Sequence, residues 1–355
     1  MPIYKVLVVD DEAAQRHLIR EILNTAHNHQ YQITEASNGL EALEKLKAGD
    51  FDAVMLDKRM PVMDGDELCR RIREMPQKQF LPIVMVTGTN SMEELARSFT
   101  AGANDFVSKP YSPLELITRL NSAVRTKLLT DQLDGAESLL FALARMVEAK
   151  DETTGDHCTR LAHIGVVFGK ELGLSEEELN AMRRGGVLHD IGKLGIPDSI
   201  LLKQAALNDE EWILMRQHTT IGAKLCEGLT TMRLVVPIIL HHHERWDGSG
   251  YPHGLAGQSI PLLARVFQII DIYDALAAVR PYKTAFTQQQ IIEVFKKETD
   301  KGWRDKELVD LFLNLLLTRG DELIVPGNRV HSLDENIFES IVATGAIDWD
   351  RPNLP

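Results

Sequence analysis

Three short runs rich in valine and isoleucine, at Lys5 to Val9, Ala53 to Leu56 and Ile83 to Val86, constrain the first third of this 355-residue chain more than any other feature. Each is followed by polar residues, and helix-like segments separate them. A strand that is apolar on both faces must be covered on both. The pattern therefore predicts a parallel sheet with helices on either side, an α/β doubly wound domain. Ligands of such sheets bind outside the carboxyl ends of the strands. Those ends carry Asp10 and Asp11, then Asp57, then Thr87, and a fourth stretch, Asp105 to Val107, leads into Ser108, Lys109 and Pro110. Carboxylates, a hydroxyl and an ammonium are expected to converge on one edge.

Carboxylates held close together repel, and a hard cation such as Mg²⁺ relieves the repulsion. One carboxylate can then act as an oxygen nucleophile toward a phosphoryl group whose oxygens are held by a lysine and a hydroxyl. The stretches VVDDE, MLDKRMPVMDG, VTG and SKP, in this order, resemble the receiver domain of two-component response regulators, a flavodoxin-like fold. The resemblance implies that Asp57 accepts phosphate and that Asp10 and Asp11 help to hold Mg²⁺. It also implies that Thr87 and Lys109 contact the phosphoryl group, that Phe106 is the aromatic switch residue, and that a sensor histidine kinase is the partner.

After Pro113, a residue suited to a helix start, apolar residues recur at spacings of three and four: Leu114, Ile117, Leu120, Val124 and Leu128, then Leu129, Leu133, Ala136, Leu140, Leu143 and Val147. This predicts that the last receiver helix runs on as a connector, with Gly135 as a point where it breaks or kinks. Its stripe suits pairing with a second copy, and a homodimer through receiver and connector is expected. Packing within its own domain accounts for the stripe equally well.

Beyond the connector strand signals nearly vanish, and Glu176 to Leu188, Asp209 to Leu225 and Leu262 to Leu276 carry helical periodicity, which predicts an all-α domain. Its polar punctuation is His157, His189 with Asp190, His218, His241 to His243, and Asp271 followed by Asp274. Histidines in surroundings as apolar as VLHDIG need partners, and helical bundles build dinuclear metal sites from ligands on several helices. His189 and Asp190 point about 100° apart on a helix, so they can serve two ions, with the carboxylate as bridge. Lys193, three residues after Asp190, brings a cation to the same side, where it can neutralise a phosphate oxygen or protonate a leaving group.

The ensemble KDETTGDH, HDIGKLGIPD, QHTTIG, HHERWDGSGYPHGLAGQSIP and IIDIYDALAAVRPYK resembles the HD-GYP branch of the HD metal-dependent phosphohydrolases. That resemblance implies hydrolysis of cyclic di-GMP to linear pGpG, or through it to GMP, at a site of iron or manganese. It implies the ligands His157, His189, Asp190, His218, His242, His243 and Asp271, with Asp190 as the bridge and Lys193 as the catalytic lysine. Tyr251, Asp274, Arg280 and Lys283 match the substrate-binding positions, where a ring and a carboxylate suit guanine and two cations suit phosphates. Some family members place a glutamate four residues before the first ligand histidine to help hold a third metal. Thr153 stands there, so two divalent metals are expected, with Asp151 orienting a ligand. His241 is then the extra histidine, and His17, His27, His29, His163, His253 and His331 receive no role.

The expected boundaries are a receiver at 1–125, a connector at 126–150, the metal domain at 151–320 and a tail at 321–355 whose ELIVPGNRV segment suggests a small strand pair. A net charge of −13 argues against nonspecific nucleic-acid binding. Cys69, Cys158 and Cys226 share no CxxC spacing and fit a reducing compartment. The first residues read as a strand and not a secretion signal, and the apolar run Leu234 to Leu240 is far short of a membrane span, so the cytoplasm is the expected location. Two other readings are a signalling adaptor that binds a cyclic dinucleotide without turnover, and a phosphodiesterase for another cyclic dinucleotide such as cyclic GMP-AMP.

Overall fold

The computed structural model describes residues 3–26, 30–76, 78–88, 91–150, 157–278 and 285–325. The chain divides into two compact units, the first closing at Gly135 and the second opening at Ala136.

In the first unit five strands alternate with helices: β1 (Ile3–Val9), α1 (Ala13–Asn24), β2 (Gln30–Ala36), α2 (Gly39–Ala48), β3 (Ala53–Asp57), α3 (Gly65–Glu74), β4 (Ile83–Thr87), α4 (Met92–Thr100), β5 (Asp105–Ser108) and α5 (Pro113–Lys150), whose residues from Ala136 on belong to the second unit. The strands form one parallel sheet in the order β2-β1-β3-β4-β5. Side chains alternate across it as the period of a strand requires. Leu7, Val9, Val54 and Leu56 pack with Leu68, Cys69 and Ile72 of α3 on one face. Val6, Val8 and Met55 pack with Ile19 and Leu23 of α1 and Leu116, Leu120 and Val124 of α5 on the other. The expected α/β sheet is present, with one strand more than the apolar runs indicated. Strand β2, QYQITEA, lies at the edge beside β1, and its polar residues are tolerated there because one flank is unpaired.

Gly135 does not break α5, which is helical from Pro113 to Lys150. Nothing lies within 4 Å of where its Cβ would stand, so this residue serves no close packing. A mid-helix glycine costs about 1 kcal/mol relative to alanine, which flanks of leucine, alanine and glutamate can absorb. Leu140, Phe141, Ala144 and Val147 of α5 are buried, whereas Leu129, Leu139 and Met146 stay more than half exposed.

The second unit is helical: α6 (His157–Glu171), α7 (Glu176–Leu188), a 3₁₀ turn at Ile191–Gly195, α8 (Asp198–Leu201), α9 (Asp209–Met215), α10 (His218–Cys226), α11 (Val236–His241), α12 (Leu262–Ala277), α13 (Gln288–Asp300) and α14 (Lys306–Arg319). Phe168, Phe267, Phe295 and Phe312 are fully buried at its centre. Reciprocal capping fixes the starts of α7 (Ser175 with Glu178), α9 (Asn208 with Glu211) and α13 (Thr287 with Gln290).

The helix expected over Asp209 to Leu225 is two helices. Its division after Met215 puts His218 at the head of α10, where its Nδ1 bonds the Met215 carbonyl at 2.8 Å. Glycine permits two close approaches. A Cβ on Gly186 of α7 would lie 2.6 Å from the Ala162 nitrogen of α6, and one on Gly192 would lie 1.8 Å from the His218 carbonyl oxygen. The second approach lets the 3₁₀ turn after Asp190 lie directly on α10. In the tail, Gly320–Leu323 forms a 3₁₀ turn. Ile324 and Val325 follow it without strand structure, and the remainder of the suggested strand pair lies outside the described residues.

Candidate metal centre

In the first unit the strand ends gather the expected set. Asp57 ends β3, Thr87 ends β4, and Asp10 and Lys109 follow β1 and β5. The Lys109 ammonium lies 2.6 Å from Asp57 Oδ1 and 3.1 Å from Asp10 Oδ2. Asp57 Oδ2 accepts from the Arg59 N–H at 2.8 Å, and Asp10 Oδ1 from the Glu12 N–H at 2.9 Å. Asp10, Asp57 and Thr87 are buried, and Asp11 is exposed beside them. Burial pushes the Asp57 carboxyl above the usual range; Lys109 opposes that shift and the Asp10 charge adds to it. Two buried carboxylates facing one ammonium leave uncompensated negative charge, a donor set that fits Mg²⁺. Phe106 is half-buried, edge-on to Phe99 at 6.0 Å, with the Arg119 guanidinium 5.9 Å from its ring centroid.

In the second unit the donor atoms form two neighbouring clusters, Asp190 with His218, His242 and His243, and His157 with His189 and Asp271; within each they lie within 4.8 Å of one another. The ligands come from the ends or inner faces of five helices. His157 opens α6, His189 closes α7, His218 opens α10, His242 and His243 follow α11, and Asp271 sits on α12.

Asp190 stands between the clusters. Its Oδ1 lies 3.3 Å from His218 Nε2 and 3.9 Å from His242 Nε2, while its Oδ2 lies 3.4 Å from His189 Nε2 and 2.9 Å from the Lys193 ammonium. One carboxylate thus presents an oxygen to each side. In the other cluster His157 Nε2 lies 3.8 Å from Asp271 Oδ1.

The second ring nitrogen of each histidine tells which one is free. His218 Nδ1 bonds the Met215 carbonyl at 2.8 Å, His242 Nδ1 the Ile239 carbonyl at 2.9 Å, and His189 Nδ1 the Gly186 carbonyl at 3.3 Å. A carbonyl oxygen can only accept, so the proton sits on Nδ1 and Nε2 carries a lone pair toward the cluster. Nε2 of His218 and of His242 is buried and makes no hydrogen bond. Buried acceptors aimed at a common point beside a carboxylate fit divalent metal ions, which supply what these lone pairs lack.

Electrostatics agree with neutral ligands for His218, His242 and His243. Burial, reinforced by the neighbouring histidines, pulls His242 well below the usual imidazole range and His243 to about 3; burial also lowers His218. His189 moves the other way: burial opposes its charge, and adjacent Asp190 more than offsets this. Burial likewise opposes the Asp190 charge, but Lys193 and the histidines outweigh it and hold that carboxyl well below its usual value.

The structure adds Arg160, Glu148 and Arg216 to the residues that the sequence singled out. Asp274 Oδ2 meets His157 Nδ1 at 2.7 Å, and Arg160 Nε meets Asp274 Oδ1 at 2.5 Å, so this carboxylate is engaged in orienting a ligand histidine. Arg160 lies one turn after His157, a spacing that could have marked it. Glu148 of α5 accepts from the Cys158 N–H at 3.1 Å and caps the first turn of α6. Nothing in sequence spacing announces that bond. Tyr251 stacks on His243, ring centroids 4.8 Å apart, with the Arg216 guanidinium 5.1 Å from its ring. The loop carrying Tyr251 closes tightly, since a Cβ on Gly250 would lie 2.3 Å from the Arg245 nitrogen. Arg280, Lys283, Asp151 and Thr153 lie outside the described residues, as do His27, His29 and His331.

Comparison with known proteins agrees with both halves. The response regulator receiver domain model matches residues 6–121, and the HD domain model matches residues 142–308. The cyclic di-GMP phosphodiesterase response regulator RpfG of Xanthomonas campestris pv. campestris is 34% identical over 79% of this chain and 80% of its own length. The chain belongs to the HD-GYP response regulators. A cyclic di-GMP phosphodiesterase of Thermotoga maritima is 30% identical over 87% of this chain and 90% of its own. The 3'3'-cGAMP-specific phosphodiesterase 2 of Vibrio cholerae is 36% identical over 56% of this chain and 37% of its own. An HD-GYP response regulator needs divalent metal at its HD ligands and Mg²⁺ at its receiver acids, and both donor sets are present here. Among the described residues no helix is long and apolar enough to cross a membrane.

Proposed function

We propose that this protein hydrolyses cyclic di-GMP to linear pGpG, or through it to GMP, under the control of phosphorylation at Asp57. The observation that carries the reading is the Asp190 carboxylate, which faces a separate histidine cluster with each of its two oxygens. His157, His189 and Asp271 would hold one divalent ion, His218, His242 and His243 the other, and Asp190 both. Iron or manganese suits this mixture of imidazole and carboxylate. Such ions supply Lewis-acid activation of water and neutralisation of phosphoryl charge.

The protein's own groups do the rest. Lys193, held against Asp190, is placed to donate a proton to the departing ribose oxygen or to pair with a phosphate oxygen. Tyr251 offers the aromatic face for guanine, and Arg280 and Lys283 the cations for phosphate. Asp274, expected on the substrate side, already holds His157 and Arg160, so its contribution passes first through that ligand.

In the receiver, phosphorylation of Asp57 by a sensor histidine kinase would shift Lys109 from the Asp57 carboxylate to the phosphoryl oxygens and change the packing around Phe106. The exposed leucines of α5 support a homodimer through receiver and connector, and the proposed reaction belongs in the cytoplasm. The 3'3'-cGAMP-specific relative supports one second reading, in which cyclic GMP-AMP is cut as well. Incubating the metal-loaded protein with each dinucleotide separately, and resolving products by chromatography, tests both. The expected result is faster conversion of cyclic di-GMP. Equal or preferential cleavage of cyclic GMP-AMP would favour the second reading.

A further inference from the structure

Of the three consecutive histidines, His242 and His243 face Asp190, while His241 belongs to a different group. His241 Nδ1 lies 3.7 Å from Glu244 Oε1, and its ring centroid is 5.4 Å from that of His253. One donor atom from each of His241, Glu244 and His253 lies within 4.8 Å of the other two.

Two observations point to a ligand. His241 Nδ1 is buried and makes no hydrogen bond. The Glu244 side chain is 0% exposed, yet among the described residues no lysine or arginine pairs with it. Among the described residues, its side-chain oxygens accept only the backbone N–H groups of His253 at 2.8 Å and Leu255 at 3.0 Å. A carboxylate taken out of water without a cation is costly, and an unbonded buried imidazole nitrogen adds to the cost. A divalent ion between them would remove both penalties at once.

We propose that His241, Glu244 and His253 form a third, mononuclear site for a divalent ion of the zinc class, clipping the Tyr251 loop to the end of α11. Two imidazoles and a carboxylate are a common zinc donor set, with water completing four-coordination. Ligands about 2 Å from such an ion stand a little over 3 Å apart, so the His241–Glu244 pair needs little adjustment. His253 is exposed, with a donor atom already within 4.8 Å of those of His241 and Glu244. The ion would sit behind the loop, whose front face places Tyr251 against His243. The ion count is independent of the proposed hydrolysis; only the consequence for Tyr251 rests on it.

The test is equilibrium dialysis of the chelator-stripped full chain against low-micromolar Zn²⁺, with ions per chain counted by mass spectrometry. The parent should carry one ion more than His253→Ala, whose exposed position leaves the core intact. His242→Ala, aimed at the Asp190 cluster, should retain the ion that His253→Ala loses, and His241→Ala should behave like His253→Ala. Co²⁺ loading should give the parent a ligand-field absorption component that His253→Ala lacks. Equal ion counts in the parent and His253→Ala would overturn the proposal. A protein inert toward cyclic di-GMP would leave these counts unchanged, so the two failures are distinguishable.

Discussion

Replacing Gly192 with alanine tests whether the metal centre depends on the 3₁₀ turn lying on α10. The added Cβ would stand 1.8 Å from the His218 carbonyl oxygen and 2.5 Å from the Gly222 nitrogen, both backbone atoms that no rotamer change can move aside. Cβ contacts are essentially never shorter than 3.0 Å, so the two segments must part by at least 3.0 − 1.8 = 1.2 Å. Asp190 and Lys193 ride on one segment and His218 on the other, so the 3.3 Å approach of Asp190 to His218 would be lost with the contact. Overpacking in a tight core costs about 3 kcal/mol at the upper end of the usual range, which for a domain of this size lowers Tm by roughly 6–12 °C. The assay is thermal unfolding followed by circular dichroism, with metal content measured on the same sample. Gly228→Ala is the control, because nothing lies within 4 Å of its added Cβ, and it should stay within about 0.5 kcal/mol of the parent. A Gly192→Ala protein with the Tm and metal content of the parent would refute the reasoning.

Removing the Asp274 carboxylate (Asp274→Ala) should free His157 and weaken metal binding at its cluster about 10–100-fold, read by chelator competition; unchanged affinity would leave Asp274 to the substrate alone. Asp57→Asn should abolish the mobility shift that acetyl phosphate and Mg²⁺ produce in a phosphate-affinity gel, and a persisting shift would place the acceptor elsewhere. The three cysteines are buried, and burial pushes Cys69 up to about 12 and Cys226 to about 11, so none should react with Ellman's reagent before unfolding. These thiols ionise more readily in the unfolded chain. Their contribution is therefore complete below the ordinary value of 9.0 and is lost as pH rises from there toward 11 and 12, so alkaline titration should lower Tm in that window.

The receiver sheet was legible because strands covered on both faces must be continuously apolar, and Val6 to Val9 and Ile83 to Val86 are. Strand β2 was not, because an edge strand tolerates QYQITEA. The metal ligands were legible as histidines and aspartates that apolar helices would not otherwise keep. What the sequence could not show is how they divide. That His241 turns to Glu244 while His242 turns to Asp190 depends on where α11 ends, and the break that presents His218 depends on a turn closed by its own side chain. The engagement of Asp274 by His157 and Arg160 follows from the packing of α12 against α6; the chain's spacing marks only that Arg160 shares a face of α6 with His157.

The central claim is that the two ligand clusters are one hydrolytic site joined by Asp190. Metal content and cyclic di-GMP turnover, measured on the same anaerobic samples of the parent and Asp190→Asn, test it most directly. The account predicts that the parent carries ions at both clusters and releases linear pGpG, and that Asp190→Asn loses ions from both clusters together with turnover. A metal-loaded parent that leaves cyclic di-GMP intact with Asp57 phosphorylated or not, or an Asp190→Asn protein that keeps its ions and its rate, would contradict it.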